Sequence, residues 1–139
     1  MDGRTFLDVA RELIQGQSEA HWRTAAGRAY YSLILEARAA LLRWGILIPP
    51  RDSVHAAVRL RFLYASDPDL HQFGLTLDDL GQLRNEADYR LSRAGSFATA
   101  AAATRAVNQA VQALAALDQV EADKLRLAAA AADIRARWP

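Results

Sequence analysis

The stretch LDDLGQLRNEADYRLS, residues 77–92, decides how this chain folds, because it places charge on the apolar face of a predicted helix. At about 100° per residue, five side chains share one narrow stripe of that helix: Leu77, Leu80, Arg84, Ala87 and Leu91. An arginine among leucines needs partners, since an unpaired buried charge costs several kcal/mol. Asp88, one turn after Arg84 and at the edge of the stripe, is the candidate partner.

The pair formed by Arg84 and Asp88 has two interpretations. Arginine before aspartate at this spacing runs against the helix dipole, so helix stabilisation alone is a poor reason for the pair. In the first interpretation the pair is structural and fixes how helices pack. In the second it belongs to a polar site at a seam between helices, where Asn85 and Tyr89, also one turn apart, supply neutral hydrogen-bond donors.

Length and composition indicate a single domain with its own core. The chain has 139 residues, 52% of them hydrophobic, and contains no cysteine. Disulfides, thiolate catalysis and cysteine-ligated metal sites are therefore excluded, and a domain of this size needs no such staple. Residues 1–14 are amphipathic and carry acids, unlike a secretory leader, and no apolar run is long enough to span a membrane. We therefore expect a cytoplasmic protein.

Charge is balanced over the whole chain but unevenly distributed along it. The formal net charge is +1, so the molecule as a whole does not attract nucleic acid strongly. Residues 20–61 carry a net +5, from seven arginines and two acids, and residues 67–88 a net −5, from six acids and one arginine. The two segments can pair within a monomer or across a dimer. Alternatively, the arginine-rich segment can meet phosphate, which suits the planar guanidinium fork.

Helical periodicity runs through the chain, and no stretch is typical of a β-strand. The pattern predicts helices over residues 5–15, 18–44 (ending at Gly45), 54–64, 76–92 and from 96 onward, with loops at 45–53, 66–74 and 93–96. The predicted caps are Ser18 for the second helix, Asp52 or Ser53 for the third, Thr76 in a capping box with Asp79 for the fourth, and Ser96 for the fifth.

Two of these helices have unusual packing requirements. The main apolar stripe of the second helix is Trp22, Ala26, Ala29, Leu33, Ala37, Ala40 and Trp44, and a second stripe nearly opposite is Arg28, Tyr31, Leu35 and Leu42. A helix apolar on two faces is packed on both sides, by its own chain or by another subunit. The last helix, if unbroken, would span about 60 Å, so we expect either a break near residues 117–123 or an overhang that packs on a partner.

Three motifs, in this order, resemble those of a known family: GRAYYSLILEARAALL at 27–42, VHAAVRLRF at 54–62 and LRNEADY at 83–89. They are similar to the core motifs of the HEPN superfamily, small helical domains named for higher eukaryotes and prokaryotes nucleotide-binding. The nearest branch is the small prokaryotic one with AYY and R-x-x-A-D-Y signatures. The resemblance covers about residues 5–117. It implies an all-α, up-and-down bundle of four to five helices over residues 1–117, with residues 118–139 as a helical extension.

The resemblance also implies a homodimer formed through central helices. Many HEPN proteins are RNA-cleaving toxins encoded beside a small nucleotidyltransferase antitoxin, and others act in phage defence. Their cleaving motif is an arginine, a polar residue, and a histidine four to six positions after the arginine. Arg84 and Asn85 match its start, while Tyr89 stands at the nearest position expected for the histidine. Because a tyrosine titrates far above neutrality and is a poor base, whether the chain cleaves RNA stays open.

Four further side chains are candidates for contact with phosphate or nucleic acid: Arg28, Tyr31, His55 and Asp88. Arg28 and Tyr31 lie one turn apart on the second helix, which the resemblance places near the fourth. Alternatively, either of them hydrogen-bonds to Asp88 in a purely structural role. His55, in the first turn of the third helix, can face the same seam or be a surface residue, and the positive end of the helix dipole favours its neutral form. Tyr30 is expected in the core.

No metal or cofactor is expected, because the three histidines lie far apart and form no His-x-x-x-His or Glu-x-x-His pair. The first functional hypothesis is a HEPN-like dimer that binds or cleaves RNA, as the toxin-like member of a toxin–antitoxin or phage-defence system. The second is a non-catalytic interaction module that docks a nucleotidyltransferase or another protein. The third is a structural bundle in which the pair of Arg84 and Asp88 only sets the helix register.

Overall fold

The computed structural model describes residues 2–50 and 53–139, and within these ranges the chain is helical, without a strand. Its α-helices are α1 (Arg4–Leu13), α2 (Glu19–Arg43), α3 (Val54–Leu63), α4 (Pro68–Tyr89), α5 (Ala101–Ala122) and α6 (Lys124–Arg137), with a 3₁₀ helix at Gly95–Phe97. The all-α prediction is confirmed. None of the helices in these ranges combines the length and apolar content needed to span a membrane.

The predicted ends of α2 are confirmed, because they depend on local signals. Ser18 adopts an extended backbone, and its Oγ accepts a hydrogen bond from the backbone N–H of His21 at 3.3 Å. At the other end, Trp44 is the C-cap and Gly45 follows with a φ of 73°. Ser53 precedes α3 as predicted but makes no side-chain cap bond, and the alternative cap Asp52 lies outside the described residues.

The predicted loop over residues 66–74 is wrong, because α4 begins at Pro68. Asp67 is the N-cap, and its Oδ1 accepts from the backbone N–H groups of Asp69 and Leu70, so the Asp-Pro pair starts a helix here. Gly74 is inside the helix, where a Cβ would collide with the backbone of α3. Thr76 forms no capping box, since its hydroxyl donates to the carbonyl of Gln72 within the helix.

Two further boundaries differ from prediction. α4 ends at Tyr89, so Leu91 leaves the apolar stripe and is exposed. Ser96 does not cap the fifth helix, because it lies in the 3₁₀ helix and α5 begins only at Ala101. Phe97 is fully buried there and packs with Ala26 and Ala87. Burial of this ring fixes the chain between α4 and α5 before the next helix starts.

The long α2 is the centre of the bundle and packs against α1, α3, α4 and α5. Arg23, near its start, contacts the end of α4, whereas Tyr31, two turns later, contacts Arg84, so the two helices are antiparallel. His55, at the start of α3, contacts Tyr30 in the middle of α2. Later in α3, the ring of Phe62 lies 6.0 Å from that of Trp44 at the end of α2. α3 therefore runs alongside α2 in the same direction, an exception to a simple up-and-down order.

The helical region after residue 96 is divided by a break at Asp123. Of the two predicted alternatives, a break near residues 117–123 is therefore the one that the structure has. Asp123 separates α5 from α6, and its side chain caps α6. α6 then folds back onto the bundle, where Ile134 is fully buried in the main core cluster. Arg126 holds its first turn through Asp67 and Asp69, at 2.6 and 2.8 Å. Burial opposes ionisation of Asp67, but the bonds from Arg126 and the backbone N–H of Leu70 outweigh it and lower the pKa of Asp67.

Candidate phosphate-binding site

A cavity of about 380 Å³ lies between α3 and α4, with Tyr30 of α2 in its wall. The chemically active side chains around it are Tyr30, His55, Arg59, Asp78, Arg84 and Asn85. Helical spacing explains the set, because His55 and Arg59 are one turn apart on α3, and Asp78 and Asn85 are two turns apart on α4. The cavity therefore collects two guanidinium groups and one imidazole at a seam between helices.

Arg84 lies at this seam with its side chain 21% exposed. Its Nη2 donates to the Tyr31 hydroxyl at 2.9 Å, and its Nε lies 2.9 Å from Asp88 Oδ2. That ion pair lacks the geometry of a hydrogen bond, so the buried Nε–H is left without a hydrogen-bond acceptor. The predicted pairing of Arg84 with Asp88 is confirmed, and Tyr31 is its second anchor.

Aromatic rings cover the same guanidinium. Its central carbon lies 5.4 Å from the ring centre of Tyr31 and 5.7 Å from that of Tyr89. Burial opposes the charged form of Arg84, but interactions with Tyr31, Asp88 and Tyr89 outweigh burial and raise its pKa. The group therefore stays cationic, and its orientation is fixed by α2 while part of its surface remains open to the cavity.

His55 is held by Tyr30, with its Nδ1 3.1 Å from the phenol oxygen. Burial, followed by the positive charges of Arg84 and Arg38, lowers the pKa of His55, so the imidazole is neutral at pH 7. Burial also raises the pKa of Tyr30, which therefore keeps its proton. Tyr30 itself is only 8% exposed, as predicted for a core residue, and Gly81 makes room for it: a Cβ there would lie 3.3 Å from the ring.

A second groove, of about 320 Å³, adjoins the contact between Tyr31 and Arg84 on the α2 side and is lined by Arg28, Tyr31 and Asp88. The guanidinium of Arg28 packs on aromatic rings, 5.5 Å from Phe6 and 5.9 Å from Tyr31. The hydroxyl of Tyr31 accepts a hydrogen bond from Arg84. Arg84 lines the cavity, and its two partners Tyr31 and Asp88 line the groove.

The structure brings most of the predicted site residues together. Arg84, Asn85 and His55 line the cavity, and Arg28, Tyr31 and Asp88 line the groove beside it. Tyr89 lines neither opening: it is the last residue of α4 and 72% exposed, although its ring contacts Arg84.

Sequence reasoning missed Arg59 and Asp78, which form an ion pair at 2.8 Å across the mouth of the cavity. The two side chains are 36% and 38% exposed, so solvent weakens this pair and a ligand anion can compete for Arg59. The pair also joins the basic segment 20–61 to the acidic segment 67–88. The spacing of His55 and Arg59 by one turn was the signal available in the sequence.

Arg23 was missed as well, and it is the most completely bonded arginine of the α2–α4 interface. Its guanidinium donates to the carbonyls of Glu86, Ala87, Arg90 and Arg93 at 2.9 to 3.1 Å and to Glu19 at 2.7 Å. It also lies 5.0 Å from the ring centre of Phe97. Arg23 thus donates hydrogen bonds to carbonyls at and after the end of α4. Every helix ends with carbonyls that lack an intrahelical partner, and the pattern of side chains in the sequence does not show which residue will bond to them.

Within residues 2–50 and 53–139, no three His, Cys, Asp or Glu side chains cluster closely enough to hold a metal ion. The side chains of the cavity offer two guanidiniums, a neutral imidazole, a phenol hydroxyl and the carboxylate of Asp78. Such a set binds an anion and can exchange a proton near neutral pH. Comparison of the chain with protein-family models, with curated protein sequences and with solved structures gave no match.

Proposed function

We propose that the chain binds RNA through backbone phosphate, with Arg84 as the principal anchor. The observation that carries the proposal is an arginine fixed by Tyr31 and Asp88 that still faces a cavity shared with Arg59 and a neutral His55. A guanidinium fork recognises phosphate oxygens in two directions at once, and one whose orientation is already fixed loses less entropy on binding.

The incomplete bonding of the Arg84 guanidinium supports the proposal. Asp88 is 42% exposed, and its ion pair with Arg84 is of the surface kind, which contributes little to stability. Asp88 and Tyr31 also engage only part of the fork. A phosphate in the cavity could therefore bind the remaining N–H groups of Arg84 without displacing either partner.

A cavity that contains Arg84, together with a groove that contains its partners Tyr31 and Asp88, suits a polymer better than an isolated anion. A strand that crosses Arg84 would reach Arg59 in the cavity and Arg28 in the groove. The exposed ring of Tyr89 beside Arg84 offers a surface on which an unpaired base can stack. The HEPN resemblance adds the expectation that the strand is RNA, and that the protein is the toxin-like member of a pair with a nucleotidyltransferase antitoxin.

The proposal includes a homodimer through the C-terminal part of the second stripe of α2, beyond the groove that holds Arg28 and Tyr31. Leu35 and Leu42 on this stripe are 37% and 58% exposed, and nearby Leu47 is 82% exposed. An apolar face of a central helix that its own chain leaves uncovered is a candidate interface. Sedimentation equilibrium tests this part: the wild type should dimerise, and Leu42→Asp should be monomeric.

The test of RNA binding compares the wild type with Arg84→Ala and with Arg105→Ala, a control at an exposed position on α5. Fluorescence anisotropy with a short labelled single-stranded RNA should show about 10- to 100-fold weaker binding for Arg84→Ala, since a charged hydrogen-bonding group is lost. Arg105→Ala should bind within about twofold of the wild type. If the wild type binds no RNA at low salt, or Arg84→Ala binds as well as the wild type, the proposal is wrong.

The exposed leucines also favour a second candidate, a non-catalytic module that docks a protein partner. The partner to test is a small nucleotidyltransferase encoded beside the gene. If the chain is such a module, the nucleotidyltransferase should co-purify with the wild type and with Arg84→Ala but not with Leu42→Asp. Such a result, together with no RNA binding by the wild type, would replace the first proposal by the second.

A further inference from the structure

We propose that the groove between α2 and α4 holds a ribose of the bound strand together with a neighbouring phosphate, so that the protein distinguishes RNA from DNA. This inference rests on the proposed function, because a phosphate on Arg84 brings the strand to the groove. It adds a sugar contact at Asp88, a second phosphate contact at Arg28 and bare backbone at Gly27. All three residues line this groove of about 320 Å³.

Gly27 leaves open space in the groove that packing among the described residues does not require. A Cβ at Gly27 would have no atom of a neighbouring helix within 4 Å. By contrast, a Cβ at Gly74 would collide with α3, and one at Gly81 would lie 3.3 Å from the ring of Tyr30. A glycine in the middle of a helix lowers stability relative to alanine. The bare backbone at Gly27 lets a group from outside the chain approach α2 closely.

Arg28 brings to the groove a guanidinium whose N–H groups are unused. Its central carbon lies 5.5 Å from the ring centre of Phe6 and 5.9 Å from that of Tyr31. Within residues 2–50 and 53–139 this guanidinium has no hydrogen-bond acceptor and no ion-pair partner. The two rings therefore hold the charge in place while its N–H groups stay available to phosphate oxygens.

Asp88 and Tyr31 add one acceptor and one further donor. Asp88 contacts Arg84 through Oδ2 at 2.9 Å, and its side chain is 42% exposed, so Oδ1 can accept a hydrogen bond from a ligand. The Tyr31 hydroxyl accepts from Arg84, and its own proton has no acceptor in the part of the chain that the structure describes. A carboxylate repels a phosphate but accepts readily from a sugar hydroxyl.

The lining of the groove therefore matches a sugar with its phosphate better than it matches phosphate alone. Arg28 and the Tyr31 hydroxyl donate to the phosphate, Asp88 accepts from the ribose 2′-hydroxyl, and the sugar lies against the backbone of Gly27. DNA lacks the 2′-hydroxyl and so loses the bond to Asp88. Since hydrogen bonds to charged groups are the stronger ones, the wild type should bind RNA about tenfold more tightly than DNA.

The experiment measures fluorescence anisotropy of the full-length chain with a short labelled single-stranded RNA and with the deoxyribose oligonucleotide of the same base sequence. Gly27→Leu fills the groove, so it should weaken RNA binding at least about tenfold and remove the preference for RNA. Gly27→Ala should weaken RNA binding several-fold but raise the melting temperature by about 2 °C, because alanine favours the helix. The control Asn108→Leu, at an exposed position on α5, should bind within about twofold of the wild type.

Two further variants separate the sugar contact from the phosphate contact. Asp88→Ala removes the acceptor of the 2′-hydroxyl, so the ratio of RNA affinity to DNA affinity should fall from about tenfold to about twofold or less. Arg28→Ala removes a phosphate contact, so it should weaken RNA and DNA binding by similar factors and leave that ratio unchanged. An unchanged ratio in Asp88→Ala would overturn the sugar contact.

Failure of this inference can be told apart from failure of the proposed function. If the wild type binds RNA in an Arg84-dependent manner but binds DNA equally well, or if Gly27→Leu and Gly27→Ala keep wild-type RNA affinity, the groove is not a ribose site and phosphate binding by Arg84 stands. If the wild type sediments as a dimer and Gly27→Leu as a monomer, a second copy covers the groove and the inference is overturned. If the wild type binds no RNA, both proposals are wrong.

Discussion

Arg23 and Arg84 lie at the same interface between α2 and α4, yet their surroundings differ. Arg23 is buried, donates to four backbone carbonyls and pairs with Glu19, so its bonding capacity is fully used. Arg84 is held by one hydroxyl and one half-exposed carboxylate, with a buried Nε–H that lacks an acceptor. Burial of an arginine is therefore a poor guide to its role. The supply of acceptors around each guanidinium distinguishes the fully bonded Arg23 from Arg84, the proposed binding group.

The largest effect should come from removing the clamp. Arg23→Ala leaves several carbonyls at the end of α4 without a donor and a void beside Phe97, so it should lower the free energy of unfolding by about 3 kcal/mol. Arg84→Ala should lower it by about 1 kcal/mol or less, because its partners remain in contact with solvent. Urea unfolding followed by circular dichroism measures both. Equal losses in the free energy of unfolding for the two variants would contradict the distinction between a structural role for Arg23 and a binding role for Arg84.

The next largest effect, on RNA binding, should come from Arg84→Lys, which tests whether the charge or the planar shape of Arg84 matters. Arg84→Lys keeps the positive charge but loses the planar fork that bonds Tyr31 and a phosphate together. RNA binding by this variant should weaken about tenfold, or about 1.4 kcal/mol, and should lie between the wild type and Arg84→Ala. Fluorescence anisotropy at constant salt measures the series. If Arg84→Lys binds RNA with wild-type affinity, the positive charge alone accounts for binding and the planar guanidinium is not required.

A smaller effect tests the anchor on α2. Tyr31→Phe removes the hydroxyl that accepts from Arg84 at 2.9 Å but keeps the ring beneath the guanidinium. The free energy of unfolding should fall by about 1 kcal/mol or less, and RNA binding should weaken several-fold, because the fork loses its fixed orientation. Tyr89→Phe is the matched control, since the hydroxyl of Tyr89 makes no such bond to Arg84 and should be dispensable for both measurements.

The smallest effect is the pH dependence of stability. The folded state lowers the pKa of His55 below its ordinary value of 6.5, so the unfolded chain takes up a proton more readily. Stability is therefore full above about pH 6.5 and decreases as the pH falls toward the folded-state pKa. In His55→Gln this component should be missing between pH 7 and that lower limit. Thermal unfolding at a series of pH values gives the comparison, and identical profiles would contradict the shift.

Local signals made much of the fold predictable from the sequence. The cap Ser18, the end of α2 at Gly45 and the pairing of Arg84 with Asp88 depend on neighbours within one or two turns. The start of α4 was placed too late, because Asp67, Pro68 and Gly74 are typical of loops but here serve as a cap, a first helical residue and a close packing contact. The same residue types support both structures, and only tertiary packing decides.

The candidate site was predicted only in part, because some of its contacts are local and others depend on tertiary packing. Arg84 and its neighbours on α4 follow from helix geometry, but the contribution of α3 depends on how the chain returns along α2 after Trp44. That return places His55 beside Tyr30 and Arg59 beside Asp78, contacts between residues that lie far apart in the sequence. The role of Arg23 could not be predicted from the sequence, because its acceptors are backbone carbonyls, which every residue carries.

The central claim, that Arg84 receives RNA phosphate while Arg23 does not, is tested most directly by NMR. The ¹⁵N-labelled protein is titrated with a short single-stranded RNA, and the Nε–Hε signals of Arg84 and Arg23 are followed after assignment by Arg84→Lys and Arg23→Lys. The Arg84 signal should shift progressively until RNA saturates the protein, and the Arg23 signal should stay in place. Saturable binding of RNA with an unmoved Arg84 signal would contradict the claim.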